Sequence, residues 1–115
     1  MSIEVSHYIE RRIINLLLFA MELKKEVPLT NVNFVLINQI TRTIKSLEQI
    51  YKKAREKREG EEGTMEDVRK EAQDTRYWVR ILKETNNSRF YKLIDELEDE
   101  SEELIRIFSR IISMN

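Results

Sequence analysis

Apolar residues recur every three or four positions along most of this chain, and three interruptions cut the pattern into four segments. An α-helix turns once every ~3.6 residues, so this spacing stacks the apolar side chains on one helical face. The second segment is the plainest, with Ile37, Ile40, Ile44, Leu47, Tyr51 and Ala54 alternating between steps of three and four. The third repeats it in Val68, Ala72, Thr75, Val79 and Leu82, flanked by Trp78 and Ile81. The fourth runs Phe90, Ile94, Leu97, Ser101, Leu104, Phe108 and Ile111, where the small Ser101 lets a neighbouring helix come close.

The interruptions carry breaker chemistry. Pro28 lacks a backbone donor and restricts the residue before it, which ends the first segment. Gly60-Glu61-Glu62-Gly63 holds both glycines and ends the second. Asn86-Asn87-Ser88 ends the third, offering an Asn that tolerates a left-handed conformation and then a capping residue. Thr64-Met65-Glu66-Asp67 fits a capping box opening the third helix, with Asp in place of the usual Glu. The helices predicted on this basis cover residues 3–26, 31–58, 64–85 and 88–113. Short connections make consecutive helices antiparallel, so the expected fold is all-α: an up-down-up-down four-helix bundle forming one domain over residues 1–115. Long paired helices, as in a coiled-coil dimer, are the competing architecture.

Helix one departs from the single stripe. Ile9, Ile13, Leu16, Ala20 and Leu23 form a seam, but Ile14, Leu17, Leu18, Phe19 and Met21 widen the apolar arc beyond what one bundle face needs. Either this helix is the most buried of the four or its extra face, Ile14, Leu17, Leu18, Phe19 and Met21, meets another subunit.

Composition narrows the class. Charged residues make up 36% and apolar ones 41%, with two glycines and one proline, which favours long helices over a turn-rich β fold. Without cysteine there is neither a disulfide framework nor a thiolate metal site, which is compatible with a reducing cytosol. The longest apolar run, Ile13 to Met21, is far short of the ~20 residues that span a bilayer, and the N-terminus lacks a basic start and a small-residue cleavage site. A cytoplasmic protein without a membrane partner is expected.

Candidate chemistry is sparse. His7 is the only histidine, so the paired Glu-x-x-His motifs of a carboxylate-bridged metal bundle and the His/Cys zinc sets are excluded. Gly60 and Gly63 flank two glutamates that would repel a phosphate, and any Ser-His-Asp set would have to use His7. Asp95, Glu96, Glu98, Asp99, Glu100, Glu102 and Glu103 read first as a solvated acidic face, and second as a surface for a divalent cation or basic partner. Tyr77 and Trp78 read as core packing. No enzyme, cofactor, metal site or small-molecule substrate is expected.

The net charge of -1 hides an asymmetry: residues 27–59 carry seven Lys/Arg against three Glu, and residues 87–115 four against seven acids. Lys52, Lys53, Arg55, Lys57 and Arg58 end helix two, where cations complement the helix dipole, and Arg42 and Lys45 extend the stripe upward. The alternative is nucleic-acid contact by Arg42, Lys45, Lys52, Lys53, Arg55 and Arg58, although few aromatics interleave with them for base stacking.

In helix three, Lys70-Glu71-Ala72-Gln73-Asp74-Thr75-Arg76-Tyr77-Trp78-Val79-Arg80-Ile81-Leu82-Lys83-Glu84-Thr85 resembles the third-helix signature of the four helix bundle protein family, also called the 23S rRNA intervening-sequence-encoded protein family. Leu93, Glu96, Glu103-Leu104-Ile105-Arg106-Ile107 and Ile111-Ile112 resemble its closing segment, and Gln39, Arg42, Ser46 and Leu47 match more loosely. Ile50 and Lys53-Ala54 depart from its pattern, and the connection around Gly60 to Gly63 looks shortened. The resemblance implies a homo-oligomer, often a ring-shaped pentamer. A related branch, the accessory variability determinant of diversity-generating retroelements, implies RNA and a reverse transcriptase as partners through a strongly basic surface, which this net charge argues against. The expectation is a non-enzymatic, self-associating adaptor or scaffold, with a nucleic-acid-associated accessory protein as the alternative.

Overall fold

The computed structural model describes residues 2–56 and 63–114. Four helices follow one another: α1 (Ile3–Glu26), α2 (Asn31–Arg55), α3 (Met65–Glu84) and α4 (Tyr91–Ser113), the last entered through a 3₁₀ turn at Ser88–Phe90. Each of α2 and α4 packs against both α1 and α3, so the chain is an all-α four-helix bundle, 46 × 23 × 20 Å.

Local chemistry sets the helix starts. Ser2 and Thr30 accept hydrogen bonds from the backbone N–H of Val5 and Asn33, satisfying donors that have no partner inside the helix. Thr64 and Asp67 form the reciprocal capping box expected of them. Gly63, at φ +111°, turns the chain into that cap in a conformation an L side chain rarely adopts. The fourth helix starts later than its apolar repeat suggested. Asn87 caps the tighter Ser88–Phe90 turn, and α-helical bonding begins only at Tyr91. Helix α2 ends at Arg55 with Glu56 as its C-cap, short of the expected Arg58; residues 57–62, with the Gly60 end of the connection, lie outside the described residues.

The expected seams are buried along their length, with Ala54, Phe90 and Ile111 at their ends half-buried against the core. The core joins Ile9, Ile13, Leu16, Ala20 and Leu23 to the α2 set from Leu36 to Tyr51, to Val68, Ala72, Val79 and Leu82, and to Ile94, Leu97, Leu104 and Phe108. Small side chains decide how close the helices come. Ala72 and Thr75 of α3, Thr43 of α2 and Ser101 of α4 sit at the closely packed α2/α3 and α3/α4 seams, where Thr75 donates to Thr43 at 2.9 Å. Helix α1 brings mainly Ile and Leu to its seam and approaches its neighbours less closely. The Ser101 hydroxyl stays local, donating to the Leu97 carbonyl at 2.9 Å.

Asn86 corrects an expectation. No residue other than glycine adopts a positive φ among the described residues, so Asn86 does not end α3 in a left-handed turn. Thr85 closes the helix with ordinary backbone angles, and the Asn86 side chain is used instead, donating to the Leu82 carbonyl at 2.8 Å.

Candidate interaction surface

The wide α1/α2 seam opens to one side. Glu10, Ile13 and Ile14 of α1 face Glu48, Tyr51 and Lys52 of α2 across a shallow, mainly apolar cleft of about 180 Å³. Residues Ile14, Leu18 and Met21 continue from this cleft along α1, spaced four and three, and are 55%, 54% and 53% exposed. Leu17 lies half-buried at the edge of the core. The apolar arc of α1 is therefore split: its seam lies in the core and its surplus lies outside.

Phe19 does not belong to that outer stripe. It lies two turns beyond Arg12, which reaches Glu100 of α4 at 2.9 Å, and it packs half-buried against the core on that flank. A 100° step per residue puts Phe19 and Ile14 on opposite sides of α1.

The structure adds exposed apolar side chains that periodicity had not singled out. Leu29 in the connection and Phe34 and Val35 in the first turns of α2 are 78%, 56% and 55% exposed. A signal for them was present: residues 13–21 and 27–41 contain no Asp, Glu, Lys or Arg. Antiparallel pairing of α1 with α2 keeps the two stretches apart: Ile14 lies level with Glu48 and Lys52, whereas Leu29, Phe34 and Val35 lie toward the end of the bundle where the α1–α2 connection is.

At the opposite end of the α1/α2 seam the chemistry is polar. Ser6 is buried and lies 3.0 Å from the Tyr51 hydroxyl, and Arg55 donates to the Ser6 oxygen at 3.0 Å. Arg55 also pairs with Glu10 and, at 3.1 Å, with Glu56. Burial raises the Tyr51 pKa, with the Ser6 bond opposing that shift. Arg55 thus ties the start of α1 to the end of α2 and is not held ready for a phosphate. His7, exposed, borders an open hollow of about 430 Å³ here with Ser2, Ile3, Ser6, Arg55 and Glu56.

Of the other cations expected to contact nucleic acid, Arg42, Lys45, Lys52 and Lys53 are exposed along the outside of α2. None of the four forms an ion pair among the described residues. Arg58 lies outside the described residues.

The acidic series of α4 is not simply solvated. Glu98 and Glu102 face Arg80 of α3 at 3.5 and 3.1 Å, Asp95 meets Lys83 at 2.7 Å, and Glu100 meets Arg12. Glu103 pairs with Arg106 one turn on, and that hydrogen bond lowers its pKa. Such pairs are worth roughly 0–1 kcal/mol each, so they select which helices α4 sits between more than they stabilise it. Among the described residues no group of three or more His, Cys, Asp or Glu could hold a metal ion. Nor is any described helix long and apolar enough to cross a membrane. Tyr77 is 59% exposed with its ring edge-on to Trp78, and only Trp78 packs against the core.

Set against protein-family models, curated proteins and solved structures, the chain gives no match in any of the three, so the likeness of residues 70–85 to the four helix bundle protein family rests on those residues alone.

Proposed function

We propose that this protein is a non-enzymatic helical bundle that self-associates and serves as an adaptor or scaffold. The observation that carries the reading is the outward stripe of Ile14, Leu18 and Met21, each more than half exposed although the core is already complete without them. Covering a large apolar side chain is worth about 1.5–3 kcal/mol when complete, so leaving three half-exposed in a row is a standing drive toward association. Light scattering at micromolar concentration tests it: an oligomer is expected, and a monomer overturns the reading. The homo-oligomer that the family resemblance implies agrees with it; the pentameric stoichiometry rests on that resemblance alone.

A second reading, a nucleic-acid-associated accessory protein that binds RNA or a reverse transcriptase, is favoured by one observation: the exposed stripe of Arg42, Lys45, Lys52 and Lys53 with no acidic partner among the described residues. It requires RNA affinity that falls steeply with salt, with a slope that shrinks in Lys52→Ala/Lys53→Ala. No RNA binding at low salt ends it.

A further inference from the structure

Beyond the self-association proposed above, the geometry points to a client of defined chemistry: an amphipathic helix with an acidic flank, docked along the α1 ridge of Ile14, Leu18 and Met21 beside the cations of α2.

Register brings the two halves of this surface together. Ser6 meets Tyr51 and Arg55, Glu10 meets Arg55, and Ile14 shares its cleft with Glu48 and Lys52. Because α1 and α2 run antiparallel, one turn forward along α1, from Ile14 to Leu18, is one turn back along α2, to Lys45. Lys45 and Lys52 are seven residues apart, as are Ile14 and Met21, and seven residues make close to two turns, about 10 Å of helix. Each pair therefore stands in line on its own helix. An apolar row on α1 and a cationic row on α2 overlap along the bundle.

The shape suits a helix. Steps of four and three on an exposed face are the spacing that a facing helix meets with its own apolar positions. At the Ile14 end the ridge drops into the cleft of about 180 Å³ lined by buried Ile13 and Tyr51, which admits one apolar side chain as an anchor.

Charge chooses the occupant. Lys45 and Lys52 are exposed and form no ion pair among the described residues. Their aliphatic stems lengthen the apolar surface while the ammonium groups stay at its edge. Arg11 and Lys25 on α1 add to them against Glu22 and Glu48, and Glu10 is already held by Arg55. A net positive rim selects an acidic partner and repels a basic one. The chain's own acids do not supply that complement, since Asp95, Glu98, Glu100, Glu102 and Glu103 of α4 are each paired within the bundle. A second copy covers the ridge by apolar contact alone, whereas an acidic helix covers it and also answers Lys45 and Lys52, so the client displaces the copy. A nucleic acid answers the lysines but leaves the ridge bare.

The probe is a designed, fluorescein-labelled helical peptide with leucines spaced four and three and glutamates seven residues apart on one flank. A matched peptide carries lysine in place of each glutamate. Fluorescence anisotropy with the full chain is expected to show the glutamate peptide binding at least tenfold more tightly than the lysine peptide, and several-fold more weakly when salt rises from about 0.05 to 0.5 M. Leu18→Asp is expected to cost at least tenfold with helicity by circular dichroism unchanged, while Tyr77→Asp has no effect. Lys45→Glu/Lys52→Glu is expected to reverse the preference, a gain for the lysine peptide that misfolding does not produce. Equal binding of the two peptides, or of neither, overturns the inference. So does binding of the glutamate peptide that ignores Leu18→Asp, since the lysines alone then hold it as they would any polyanion. Light scattering separates this from self-association. An oligomer that excess glutamate peptide does not dissociate overturns the client and leaves self-association standing; a monomer that binds the peptide does the reverse.

Discussion

The side-chain amides of Asn33 and Asn86 hydrogen-bond each other in both directions, at 3.0 and 2.9 Å, across the end of the bundle where two connections meet. Asn33 also donates to the Pro28 carbonyl at 2.8 Å, and Asn86 to that of Leu82. One amide pair therefore links the α1–α2 turn to the end of α3. Because Asn33 is only 2% exposed, water cannot replace a lost partner.

Asn33→Leu removes these bonds and strands the Asn86 side-chain oxygen, while the Asn86 amide nitrogen keeps its bond to Leu82. An unmet buried polar group costs ~1–3 kcal/mol. The expected outcome is a loss of about 2 kcal/mol in urea unfolding, with Asn86→Ala close behind and the double variant costing less than the sum. Full additivity in that cycle would show that the two amides act independently.

Ser101 separates size from polarity. Its side chain is fully buried at the α4 seam and bonds only to its own helix. Ser101→Ala is expected to be neutral or to stabilise by a few tenths of a kcal/mol, since alanine is the better helix former. Ser101→Leu forces apart a close helix approach and is expected to lose about 1–3 kcal/mol. Equal stability of the two variants by thermal unfolding would show that the seam does not need a small residue.

The capping box gives a local prediction. Thr64→Ala frees the Asp67 backbone N–H, and Asp67→Ala frees that of Thr64. Each is expected to cost about 1 kcal/mol. Hydrogen exchange should show the effect first in the opening turn of α3; a loss confined to α4 would contradict the assignment.

Stability should also respond to pH through Glu71. Burial, followed by the nearby charge of Asp74, raises its pKa, while Lys70 and a Ser46 hydrogen bond oppose the shift. A carboxyl that binds its proton more tightly when folded lowers stability once ionised, so this contribution recovers as pH falls through the folded pKa. Glu71→Gln is expected to stabilise the fold at pH 7 by about a few tenths of a kcal/mol. The advantage should fade toward pH ~4, where the wild-type carboxyl is itself protonated. An advantage that is constant with pH, followed by chemical denaturation, would mean that charge is not the cause.

Much of the architecture was legible in the residues because helices report themselves locally. The steps of three and four from Ile37 to Ala54, the stop at Pro28 and the Thr64/Asp67 cap are each complete within a few residues of chain, and the fold obeys them. The late start of α4 was not legible, since the choice between a 3₁₀ and an α turn at Ser88–Phe90 rests on backbone bonding to which an apolar repeat is blind. The role of Asn86 was equally hidden, because its partner Asn33 is distant in sequence.

The surface followed the same division. Sequence alone determined that α1 carries more apolar residues than one seam can use, because that is a property of one helix and its period. Only the tertiary structure decided how the surplus divides: Phe19 toward the core on the α4 side, Ile14, Leu18 and Met21 outward. It likewise decided that Arg55 is tied to Ser6 and Glu10, and that Arg12, Arg80 and Lys83 answer most of the acids on α4. Periodicity determines which residues share a helix face; what that face meets depends on helices far away in the chain.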